Sequence, residues 1–208
     1  AGEKEIRVKL GAEVDYLPGK EKELARLLAR EPFDYVIGSI HFMDDWDFTH
    51  PYFAARFEEA DLEAVYRRYF ELLWQACRSG LFDIIGHIDV IKKFGYRLPP
   101  AALEPYLQRT ARILKECGLC YELNSAGRAA PAAEFYPGRR LLELCCREGV
   151  PVTLGSDAHA PDQVGRYFDE ALQLLREVGY RELAVFTARQ RSFIPLDGGA
   201  GKEAPSAS

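Results

Sequence analysis

The chain has 208 residues, 48% of them hydrophobic and 28% charged. This is the balance of a globular protein with one sizeable core, and a single domain is the default expectation at this length. The net charge of −5 argues against a broad surface for nucleic acid or anionic membrane, because phosphate backbones are held by clustered lysines and arginines, which are dispersed here. The expected partner is therefore a small molecule, with no nucleic acid and no membrane, and the sequence leaves the oligomeric state open. No apolar run reaches the roughly 18 residues that span a bilayer and no signal-peptide pattern is visible, so a cytoplasmic location is expected. The 5 cysteines are odd in number and scattered through segments that read as helix and strand, which speaks against a secreted disulfide framework.

Residues 1–5 run into a strand pattern with no initiating methionine, and the chain reads as truncated at its N-terminus. Short apolar runs rich in β-branched and aromatic residues then alternate with longer stretches of helical period, the signature of repeated βα units and a parallel sheet. Strands are predicted at residues 6–14, 35–42, 82–88, 119–124 and 151–156, and a weaker sixth at 183–186 or 192–195. Helices are predicted at 20–30, 62–79, 101–117, 138–148 and 162–178. Asp61 has the character of an N-cap and Gly80 of a helix stop, while Pro161 and Gly179 bracket the last helix. Residues 1–196 read as one domain. Residues 197–208, rich in Gly, Ala and Ser, read as a disordered tail.

Only 4 histidines are present, and three of them, His41, His87 and His159, fall at the C-terminal end of a predicted strand. Glu13 holds the same place on the first strand, and Asp157 joins His159 in an Asp-x-His pair. In parallel β/α folds this rim is where sites are assembled, since the strand ends converge there. One carboxylate, two histidines and an Asp-x-His pair would supply N and O ligands for Zn²⁺, Mn²⁺ or Fe²⁺. Each residue also has a plainer reading: a lone buried histidine is most often a hydrogen-bonded core residue, and a lone carboxylate a helix cap. Their joint placement at equivalent rim positions, with apolar strand interiors, favours the metal site.

Five segments now carry a resemblance. They are Gly-Ala-Glu-Val-Asp-Tyr-Leu-Pro-Gly (11–19), Gly-Ser-Ile-His-Phe (38–42), Gly-His-Ile-Asp (86–89), Tyr-Glu-Leu-Asn-Ser-Ala-Gly (121–127) and Gly-Ser-Asp-Ala-His (155–159). In this order they resemble the motifs of histidinol-phosphatases of the polymerase and histidinol phosphatase (PHP) family. The resemblance implies an α/β fold, a distorted seven-stranded TIM-like (β/α) barrel, with Glu13, His41, His87, Asp157 and His159 as metal ligands for two or three divalent ions. The family's N-terminal His-x-His strand has no counterpart here, which implies that N-terminal strands of the barrel are missing from this chain. The activity implied is hydrolysis of L-histidinol phosphate, in L-histidine biosynthesis. Alternatives are a PHP phosphoesterase acting on nucleotides or nucleic-acid ends, and a non-catalytic metal-binding fragment.

For such a phosphomonoester, a group beside Asp157 could assist the departing alkoxide. Arg128, just past the strand ending at Asn124, could hold a phosphate bidentately with Asn124 in support, or be a solvated loop arginine. Asp44, Asp45, Asp47 and His50 either recognise a cationic amino-alcohol or form a polar surface loop. Asp89 either orients a ligand imidazole or caps the next segment. Cys117 and Cys120 read as a buried structural pair, Cys145 and Cys146 as helix packing, Trp46 as a loop aromatic and Trp74 as helix core.

Overall fold

Strand β1 (Gly11–Asp15) opens the fold and is followed by helix α1 (Glu21–Leu28), in a computed structural model that describes residues 8–196. The first two residues of the predicted first strand, and the predicted tail, lie outside the described residues. Strand β2 (Tyr35–Ser39) comes next, then an antiparallel ribbon of β3 (Phe42–Met43) and β4 (Trp46–Asp47) and a single helical turn, α2 (Arg56–Glu59). Asp61 caps helix α3 (Leu62–Arg78) as its sequence position suggests, accepting hydrogen bonds from the backbone N–H of Glu63 and Ala64. Tyr66, Tyr69, Phe70, Leu73, Trp74 and Cys77 recur every three or four residues, and that stripe is buried.

Strand β5 is reduced to Ile84–Ile85. Helix α4 (Pro100–Glu116), strand β6 (Cys120–Asn124), helix α5 (Arg139–Glu148) and strand β7 (Val152–Gly155) follow the predicted alternation. The five strands pair in parallel in the order β1-β2-β5-β6-β7. Leaving the ribbon aside, every strand lies beside its predecessor in the chain. That singly wound order belongs to a β/α barrel, since a doubly wound sheet reverses its order at a switch point. Of the expected seven strands, the described residues supply five, and β1 and β7 are the outer strands of this sheet.

Four expectations need correction. The last helix does not start at residue 162: a short 3-10 turn, Pro161–Gln163, is followed by a break, and helix α6 covers Phe168–Val178. Gly165 and Tyr167 both have positive φ, 71° and 61°, which no α-helix can contain. The two candidate sites for a sixth strand are both strands, β8 (Glu182–Thr187) and β9 (Gln190–Pro195), paired antiparallel with each other in a separate sheet. Trp46 is not a loop aromatic: it is 6% exposed, packs on Phe57 and lies under the Arg56 guanidinium. Cys117 is exposed while Cys120 is buried, so the two do not form a buried pair.

The core lies between the sheet and helices α3 to α6. Trp74 sits in it as predicted, donating from Nε1 to Thr110 Oγ1 at 2.9 Å. A smaller apolar cluster joins Ala184 and Phe186 of β8 to Ile84 and Cys120 of the sheet. Arg189 fastens that hairpin to Asp83 at 2.9 Å and to the Leu81 carbonyl at 2.7 Å. The long βα connections are therefore left to build the opposite, C-terminal ends of the strands.

Candidate metal centre

Side chains of a strand alternate between its faces, so Glu13 and Asp15 of β1 lie on one face. Parallel pairing with β2 sets Glu13 opposite Ile37 and Asp15 opposite Ser39, and the chain leaves β2 through His41. His87 leaves β5 in the same way. Three strands thus deliver Glu13, His41 and His87 to one point, with their ligand atoms all within 4.8 Å of one another. His87 Nε2 is 2.9 Å from Glu13 Oε1 and 3.1 Å from His41 Nε2, and Ser39 Oγ donates to Glu13 Oε1 at 2.7 Å.

The supporting bonds fix how these groups present themselves. Asp15 Oδ1 lies 2.9 Å from His41 Nδ1 and also accepts from the His41 backbone N–H. A carboxylate there holds the ring proton on Nδ1 and leaves the Nε2 lone pair free for a cation. Two imidazole Nε2 atoms at 3.1 Å either share a proton or turn their lone pairs to a common positive charge. Two such nitrogens and one carboxylate oxygen form a three-ligand set with room for further ligands, the donor chemistry of a catalytic Zn²⁺ or similar ion. The residues therefore fit the divalent metal that the sequence implied.

Charge at the cluster is coupled. Burial alone would raise the Glu13 pKa, but the hydrogen bond and charge of His87, the Ser39 hydroxyl and His41 outweigh it and hold the carboxyl at about 2. Burial works against a charged His87, and the bond and charge of Glu13, helped by Glu122 and Asp157, overcome it and raise its pKa. Behind His87, the buried Glu122 accepts from the His87 backbone N–H at 3.0 Å and from Asn124 Nδ2 at 3.1 Å. Burial pushes the Glu122 carboxyl upward. Gly155 makes room for it, since a Cβ at that position would collide with Glu122 Oε1.

Asp157, beyond the end of β7 and at φ 49°, lines the same cavity of about 760 Å³ as the cluster, as does His159. Neither contributes an atom to the three-residue set. His159 is turned outward, its side chain 80% exposed and its Nδ1 2.9 Å from the Asp157 carbonyl. Asn124 is buried and spends its amide on Glu122 and on the Ala126 N–H. Arg128 is engaged by Glu170 and the Ala133 carbonyl, and neither it nor Asn124 is among the residues lining the cavity.

Sequence reasoning missed two cations on the cavity wall, Lys93 and Arg166. Lys93 donates to the Thr49 carbonyl at 2.8 Å, and burial lowers its pKa. It also missed Asp15 and Glu122, whose signal was available: each lies two residues from a residue already selected, on the same strand face. The acids after His41 are used locally. Asp44 pairs with Arg68 and Asp47 accepts from Thr49 and His50, which is the surface-loop reading. Asp89 neither orients an imidazole nor caps through its side chain: it accepts from Lys92 and from the Gly138 N–H.

The sequence model of the PHP domain matches residues 1–126 of this chain, more than half of it. The chain belongs to the PHP domain family. This PHP chain is 42% identical over 190 residues to the probable histidinol-phosphatase of Deinococcus radiodurans, covering 91% of its own length and 71% of that relative. It is 27% identical to the probable histidinol-phosphatase of Schizosaccharomyces pombe, where it spans 63% of the relative, and 26% identical to the histidinol-phosphatase of Bacillus subtilis, where it spans 69%. Its fold matches the crystal structure of histidinol phosphate phosphatase from Lactococcus lactis, complexed with zinc, L-histidinol and phosphate. That match has a TM-score of 0.79 at 23% identity, over 90% of this chain and 72% of the other.

Proposed function

We propose that this PHP chain carries the site of a metal-dependent phosphomonoesterase that hydrolyses L-histidinol phosphate to L-histidinol and phosphate. The observation that carries the reading is the convergence of Glu13, His41 and His87 from three strand ends into a cavity that also holds two cations. The relatives named histidinol-phosphatase, the first of them 42% identical, give the substrate. Zinc in the L. lactis crystal structure supports Zn²⁺ here, while the number of ions, two or three, and the candidates Mn²⁺ and Fe²⁺ rest on the sequence resemblance.

Glu13, His41 and His87 would hold the metal, with Asp157 and His159 completing the set. A divalent ion there supplies Lewis-acid activation of the phosphoryl group and of water at neutral pH. The remaining work belongs to the chain. Asp15 keeps the proton of His41 on Nδ1, and Glu122 fixes the backbone that carries His87. Lys93 offers positive charge to the phosphate, and Asp157 would take a proton from the attacking water and pass it to the departing alkoxide. Arg128 reaches the phosphate only by leaving Glu170, an exposed pair that costs little to break, and Asn124 supports the Arg128 turn through the Ala126 N–H.

Phosphate release from L-histidinol phosphate with Zn²⁺ or Mn²⁺ tests the reading. Turnover abolished by His87→Ala is the expected result. Faster release from nucleoside monophosphates would point to a nucleotide phosphoesterase instead, and stoichiometric metal without turnover of either substrate would leave a metal-binding role.

A further inference from the structure

Arg166 stands apart from the other arginines near the cavity. It lines the cavity, its Nε is buried without a hydrogen-bond partner, and its guanidinium makes no ion pair among the described residues. Arg128, by contrast, bonds Glu170 through Nε and the Ala133 carbonyl through Nη1, and lies over the Phe135 ring. A desolvated guanidinium nitrogen with nothing to bond is unfavourable by itself. An acceptor in the cavity that Arg166 lines, a ligand oxygen or a water, would satisfy it.

The backbone holds Arg166 in that position. Its carbonyl accepts from Ser125 Oγ at 2.7 Å, and its N–H donates to the Gln163 carbonyl at 3.2 Å. Ser125 is fully buried at the end of β6, so the Arg166 turn is tied to the rim of the sheet. The neighbours Gly165 and Tyr167 both have positive φ, and for a tyrosine that conformation is strained. These residues are where the helix predicted from residue 162 is broken, and the break sets Arg166 on the cavity wall instead of on a helix face.

We propose that Arg166 is a phosphate-binding residue of this site, its guanidinium donating to the oxygens of the phosphoryl group in the cavity that holds Glu13, His41 and His87. The proposal deepens the phosphomonoesterase reading and rests on it. A planar guanidinium matches two phosphate oxygens at once, which an ammonium cannot do. Arg166 thus takes the role that sequence position alone gave to Arg128.

The experiment titrates the zinc-loaded chain with inorganic phosphate by calorimetry and compares Arg166→Gln, Arg166→Lys and Arg128→Gln, with zinc content and melting temperature measured on each. The expected result is phosphate affinity reduced about tenfold or more in Arg166→Gln, partly recovered in Arg166→Lys, with zinc content and melting temperature unchanged. Arg128→Gln weakens binding less, and KM for histidinol phosphate rises in Arg166→Gln more than kcat falls. Unchanged phosphate affinity in Arg166→Gln, a larger loss in Arg128→Gln, or loss of zinc together with phosphate overturns the proposal, as does a wild type that binds no phosphate. If Arg166→Gln hydrolyses histidinol phosphate as the wild type does, only this proposal fails. If phosphate binding needs Arg166 but histidinol phosphate is not hydrolysed, only the substrate reading fails.

Discussion

At the scale of single residues, the centre depends on groups outside the three-residue set. Asp15 binds His41 through both the ring and the backbone N–H, so it sets the tautomer and the position of the ring together. Asp15→Asn keeps the volume but removes the charge that favours a proton on Nδ1. Zinc affinity is expected to fall about 10- to 100-fold with the fold intact, measured by competition with a chromophoric chelator beside circular dichroism; an unchanged affinity would show that Asp15 is only structural. The convergence of Glu13, His41 and His87 was legible in the sequence because strand ends can be read from local pattern. Arg166 was not, because its relevance comes from a broken helix and an unpaired nitrogen, neither of which has a local sequence signature as distinct as a strand end.

At the scale of elements, the β3–β4 ribbon shows how a segment read as loop becomes core. Trp46 is buried against Phe57, which itself stacks on Tyr96 with ring centroids 5.0 Å apart. Trp46→Ala is therefore expected to cost about 3–5 kcal/mol, read from chemical denaturation, where an exposed loop tryptophan would cost almost nothing. The contact between α4 and α5 has its own pH dependence. Hydrogen bonds from Arg140 and then Gln108 hold the Glu104 carboxyl at about 2, against 4.5 for the free side chain. A depressed folded value means that the pair stabilises fully above about pH 4.5 and loses that contribution as pH falls toward 2. The pair is partly exposed, so the effect is about 1 kcal/mol or less. Glu104→Gln is expected to melt below the wild type at pH 7 by up to about 2–4 °C, and the gap is expected to close near pH 2; a gap independent of pH would remove the assignment.

At the scale of the whole molecule, the strands of the parallel sheet differ from those of the separate β8–β9 hairpin. β2, β5 and β6 have a neighbour on each side, and all five residues of β6 are buried. Every residue of β9 is exposed, and among the described residues it pairs with β8 alone. Native-state hydrogen exchange is expected to be slowest in β6 and its neighbours and fastest in the β8–β9 hairpin; equal protection in both would mean that the hairpin unfolds only with the core.

The sequence by itself determined the βα alternation, the caps at Asp61 and the strand ends carrying Glu13, His41 and His87, because hydrophobic period and cap chemistry act over a few residues and survive in any context. It also suggested two strand runs near the C-terminus, but not that they pair with each other in a separate sheet. The tertiary structure decided which donors meet: His41 and His87 come within 3.1 Å although the β3–β4 ribbon, helices α2 and α3 and strand β5 intervene, and Arg128 turns to Glu170 while Arg166 reaches the cavity wall. These outcomes depend on strand register, on the direction in which each connection crosses the rim and on competition among sequence-distant partners, and no local pattern encodes the distance between two side chains on different strands.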